Sequence, residues 1–90
     1  MVKIITLIGN AETVGYAVDN IKDKKIRYEL EGAKDSFRLE EYEVLSVNLR
    51  PSKKDPYQAI GKVEVKGASL DLLVLTGILT KMYSTLKIKG

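Results

Sequence analysis

Neither cysteine nor histidine nor tryptophan occurs among the 90 residues. Without cysteine there can be no disulfide framework and no thiolate metal site. Without histidine the usual general base near neutral pH is missing, and so is the commonest zinc ligand. These gaps narrow the chemistry more than any motif that is present, leaving carboxylate and lysine chemistry and no expected cofactor. Long apolar runs are also lacking. No segment reaches the ~18 apolar residues that span a bilayer, because Asp71, Thr76 and Gly77 interrupt the best candidate. The first ten residues, MVKIITLIGN, hold one lysine and a short apolar run. A secretory h-region needs roughly 7–15 apolar residues, so a signal peptide is not expected here. The expectation is a cytoplasmic protein with no membrane partner.

Charge of one sign is scarce as well. Fifteen basic and twelve acidic residues leave a net charge of +3. Residues 1–23 sum to −1, and residues 24–54 and 55–90 to +2 each, so no block resembles a basic arm. What is present is ordinary globular composition, 44% hydrophobic, which predicts one small folded domain over residues 1–90. No internal repeat or low-complexity tract interrupts it.

The chain reads mostly as strands. Residues 2–8 are apolar at both alternating positions, predicting a central strand covered on both faces. Gly9-Asn10 is a turn signal. Val14, Tyr16 and Val18 alternate with small residues, predicting a second strand over 13–18 with a bulge near Gly15, and 19–25 reads as a polar loop. Ile26, Tyr28 and Leu30 alternate with charged residues, and Phe37 and Leu39 continue the pattern after a turn at 32–35. The acidic run 40–43 is read as bulged strand in preference to a helical turn, because Val44, Val47 and Leu49 carry strand periodicity onward. Both prolines bracket residues 51–56, an exposed hairpin loop between strands at 42–50 and 57–66, with Gly61 a predicted bulge.

Residues 69–86, SLDLLVLTGILTKMYSTL, form the one long helical pattern. Ser69 is the expected N-cap and Asp71 suits the positive end of the helix dipole. Leu72, Leu75, Ile78, Leu79, Met82, Tyr83 and Leu86 share one stripe, the expected core face. Residues 87–90 either fray or add a short edge strand. The predicted fold is α+β: a mainly antiparallel sheet, or a partly open small barrel, of about five to six strands, covered by one C-terminal helix at about 69–86.

No motif carries catalysis. Glu41 and Glu43 are a same-face carboxylate pair with no apolar or cationic partner in sequence to tune them; a solvated strand edge explains them better. Residues 19–23 superficially suggest a calcium loop, but Lys24 stands where the loop needs glycine, and Glu31 falls one place past the bidentate position. Gly9 lacks the companion glycines of a dinucleotide-binding turn. The informative feature is a second apolar seam on the C-terminal helix, Leu70, Leu73, Val74 and Gly77. Gly77 inside a helix costs about 0.8–1 kcal/mol relative to alanine, so close packing is its expected reason. Covering by a second copy of the chain or another protein stands at even odds with covering by residues 40–50. The leading expectation is therefore a non-catalytic interaction module, self-associating through those four residues as a homodimer or binding another protein. The alternative is weak binding to nucleic-acid phosphates through basic loops at 22–27 and 50–54, with Lys24, Lys25, Arg27, Arg50, Lys53 and Lys54 as its residues and Tyr28 and Tyr57 beside them. An enzyme using carboxylates or lysine ranks third.

Overall fold

A computed structural model gives the fold over residues 1–24, 27–29, 36–38 and 41–90. The elements in chain order are β1 (Val2–Asn10), α1 (Ala11–Lys22), β2 (Arg27–Glu29), β3 (Ser36–Arg38), β4 (Tyr42–Pro51), β5 (Gln58–Gly67), α2 (Ser69–Met82) and β6 (Lys87–Lys89). Four strands make one antiparallel sheet in the order β4-β5-β1-β6, and β2 and β3 pair separately as a two-stranded antiparallel ribbon. The main connectivity, β1-α1-β4-β5-α2-β6, is a split β-α-β arrangement with the ribbon inserted after α1.

The predicted α+β class and antiparallel sheet hold, but the sheet has four strands, it is open, and two helices cover it. The unforeseen helix is α1, which replaces the strand expected at 13–18 and most of the loop expected at 19–25. Asn10 explains its start: the side-chain Oδ1 accepts from the backbone N–H groups of Glu12 and Thr13, at 3.0 and 3.3 Å. Val14, Ala17, Val18 and Ile21 are buried along one helical stripe. The helix closes at Asp23, after which Lys24 takes a left-handed φ of 56° and donates to the Ile21 carbonyl.

Both helices lie on the same face of the sheet. A Cβ placed on Gly61 would meet Val14 and Val18 of α1 at 3.0 Å, and one on Gly67 would meet Leu72 of α2 at 3.3 Å; in β5 these two positions point the same way. Gly61 is therefore not a bulge. It pairs in register with Leu7 and Leu49 and leaves room for α1 to approach. The core under the helices is Ile5 and Leu7 of β1, Val63 and Val65 of β5, the α1 stripe, and Leu72, Leu75, Ile78 and Leu79 of α2.

Among the described residues nothing covers the opposite face. Val2 and Ile4 are 52% and 53% exposed, so β1 is central but covered on one face, contrary to its two-sided apolar pattern. The β4–β5 hairpin is as expected, with a register irregularity between Val44 and Ser46; of the acidic run, Tyr42 and Glu43 pair regularly with Gly67 and Lys66, and Glu40 lies outside the described residues. Helix α2 ends at Met82, one turn before the predicted 86; Ala68 occupies the cap position without a side-chain bond, and Ser69 is the first helical residue. Met82 is consequently 41% exposed, whereas Leu86 is buried beyond the helix end. Residues Lys87–Lys89 form the edge strand β6 on β1. Ile26, Leu30, Leu39, Glu40 and the 32–35 turn lie outside the described residues.

Candidate functional site

Among the described residues nothing covers the second seam of α2 at Leu70, Leu73 and Gly77. Leu70 and Leu73 are 69% and 64% exposed, and nothing lies within 4 Å of a Cβ built on Gly77. Val74 alone of the four is drawn in, half-buried against the core. Of the expected alternative cover, residues 40–50, the described part, residues 41–50, does not reach it. Residues Tyr42–Pro51 are the sheet's edge strand on the α1 side, while α2 packs on β5 and β6. The close packing that would justify Gly77 is therefore not supplied by the described residues of this chain.

The two basic loops do not form one surface. Lys24 lies at the start of β4, its Nζ 5.6 Å from the Tyr42 ring centroid, and Tyr42 donates its hydroxyl to the Ile21 carbonyl at 2.6 Å. Burial pushes the Tyr42 phenol up to about 12. Arg50, Lys53 and Lys54 stand at the other end of that strand, ten residues long, which is about 30 Å away at the rise of a β-strand. Lys25 lies outside the described residues, and Arg27 is described only by its place in β2. Of the aromatic companions, Tyr57 is 76% exposed in the β4–β5 loop, its backbone N–H held by the Asp55 carboxylate at 2.9 Å. Tyr28 pairs with Phe37 in the ribbon.

Sheet register assembles a basic surface that the sequence order conceals. On the bare face, Thr6 is flanked by Lys62 of β5 and Lys89 of β6. In the next row Ile8 is flanked by Lys87 and by Ile60, and Ile60 in turn by Arg50 of β4. Directly paired residues of antiparallel strands point to the same face, so Lys62, Lys87, Lys89 and Arg50 emerge together. Arg50, Pro51, Ser52, Lys53, Lys54 and Ile60 also line a hollow of about 390 Å³ at this end. The available signal was the charged-apolar-charged alternation of 87–89 and 62–66, which marks a charged strand face without saying which strands lie beside it.

Carboxylates are less concentrated. Glu43 lines a hollow of about 520 Å³ together with Lys22, Lys24 and residues 44–47 of β4, and no second carboxylate lines it among the described residues. No group of three or more metal-binding side chains exists among the described residues, and no helix among them is long and apolar enough to cross a membrane. No family model, curated protein or solved structure matches this chain.

Proposed function

We propose that the protein is a non-catalytic, cytoplasmic interaction module that self-associates through the outer face of α2. The observation that carries this reading is the exposure of Leu70 and Leu73, 69% and 64%, beside a glycine with open space over it. A two-fold, antiparallel pairing of α2 with a second copy suits that face. It sets Leu73 of each copy over Gly77 of the other, where a missing side chain lets the helix axes approach closely. It also lays the first turn, which holds Asp71, against a last turn that holds Lys81, so the helix ends meet with unlike charge.

The contact would be weak. Each copy contributes two leucines already about one-third buried, and a fully buried leucine is worth about 1.5–3 kcal/mol. Burying the remaining two-thirds of four leucines returns about 4–8 kcal/mol against an association cost of ~4–15 kcal/mol, so the favourable ends of both ranges put dissociation near millimolar. Sedimentation equilibrium from 10 μM to 1 mM tests this directly. A monomer–dimer equilibrium that Leu73→Lys abolishes is expected; a monomer at 1 mM, or a dimer indifferent to that substitution, overturns the reading.

A further inference from the structure

We infer that the bare face of the sheet, at the end where β4 and β5 join, is a binding surface for the phosphate backbone of a nucleic-acid duplex. Its residues are Arg50, Lys53, Lys54, Lys62, Lys87 and Lys89, drawn from β4, the following loop, β5 and β6. The register rows described above bring the three strand lysines and Arg50 onto one face, and Lys53 and Lys54 line the hollow at its rim. Together with Asp55, the carboxylate in that loop, these six account for all of the chain's positive excess; the rest carries nine basic and eleven acidic residues. Charge that was spread evenly along the sequence is thus concentrated in space. Glu64, one row further along β5 beside Ile4, marks its boundary.

Shape and chemistry select the ligand. Four strands at about 4.8 Å spacing make a patch about 14 Å wide. The strand positions on this face carry Val, Ile, Thr, Ser, Asn, Gln, Lys, Arg and Glu and no aromatic ring. A sequence-tolerant single-strand site stacks successive bases on aromatics; the strand positions here offer none, and the loop that carries Lys53 and Lys54 offers one, Tyr57. What this face offers is an array of cations, set on paired strands, over small and aliphatic side chains, suited to phosphates and indifferent to base identity. The site is distinct from the α2 seam, which lies on the helix-covered side.

Fluorescence anisotropy with a labelled 20-base-pair DNA duplex, its single strands, and phosphatidylserine vesicles tests the assignment between 50 and 200 mM salt. Four to six phosphate contacts predict a log–log salt slope of about −4 to −5. Lys62→Glu with Lys89→Glu should weaken duplex binding on the order of 50-fold at 0.1 M salt and make the slope shallower by about two. Lys3→Glu with Lys22→Glu changes net charge equally on the helix-covered side, where Lys3 pairs with the buried Val65 and Lys22 ends α1, and should leave the slope unchanged. No duplex binding at 50 mM salt, equal losses in the two variants, tighter binding to single strands, or binding to vesicles alone each overturns the inference.

Discussion

The two helices lie side by side on one face of the sheet, tied where the Asn20 amide donates to the Tyr83 hydroxyl, yet their outer sides are unlike. Helix α1 exposes Glu12, Asp19 and Lys22, with Tyr16 its one large exposed apolar residue. Helix α2 exposes Leu70, Leu73 and Gly77 along one line. Helix α1 is capped by Asn10 and α2 has no side-chain cap. Packing within the chain accounts for nearly every residue of α1. In α2 the same packing accounts for Leu72, Leu75, Ile78 and Leu79 and leaves the opposite line unexplained.

The largest effect that can test this contrast comes from two leucines two positions apart. Leu75 is wholly buried and Leu73 mostly exposed. Leu75→Ala removes buried methyl groups and leaves a cavity, so urea unfolding of dilute protein should show a loss of about 2–5 kcal/mol. Leu73→Ala under the same conditions should change stability by less than about 0.5 kcal/mol. A loss of several kcal/mol for Leu73→Ala would mean that the chain itself buries this side chain, and the contrast between the helices would collapse.

A smaller effect tests how α1 is fastened. Its last turn is held from the sheet by the Tyr42 hydroxyl, which donates to the Ile21 carbonyl. That carbonyl also accepts from the Lys24 backbone N–H, so Tyr42→Phe does not strand it and should cost about 1 kcal/mol. Burial raises the folded phenol to about 12 from an ordinary value of 10.0. Its contribution is therefore complete below pH 10 and is lost as pH rises through 12, because the unfolded chain gives up the proton first. Unfolding titrations from pH 9 to 12 should show a steeper alkaline decline in the parent than in Tyr42→Phe. Parallel declines would place the hydroxyl in water.

Why α1 escaped the sequence is clear from Val14 and Val18. They belong to a period-two series with Tyr16 and equally to a helical series with Ala17 and Ile21, and β-branched residues tip the reading toward strand. Asn10 with Glu12 behind it was the deciding signal, since a cap has meaning only before a helix. The β4–β5 hairpin was legible because two prolines and alternating valines leave few other arrangements. The α2 seam was legible because helical phase is local. The basic surface was not: Arg50, Lys62 and Lys89 become neighbours through strand order and register, and neither is written in any one segment.

The smallest effect separates the helices most sharply, because each carries one glycine with open space around it. No atom lies within 4 Å of a Cβ built on Gly15 of α1 or on Gly77 of α2. Alanine fits both sites, and each substitution should stabilise the dilute monomer by about 0.8–1 kcal/mol through helix propensity and reduced freedom of the unfolded chain. The variants should part company on concentration. Gly15→Ala leaves self-association as in the parent, since α1 presents no apolar line. Gly77→Ala puts a methyl group where Leu73 of the second copy must sit, so its dimer should be weaker even though its monomer is more stable. A substitution that strengthens the fold and weakens the assembly has no explanation in the packing of one chain. Equal association of the two variants would instead leave Gly77 as an uncompensated cost in a helix that has no second partner.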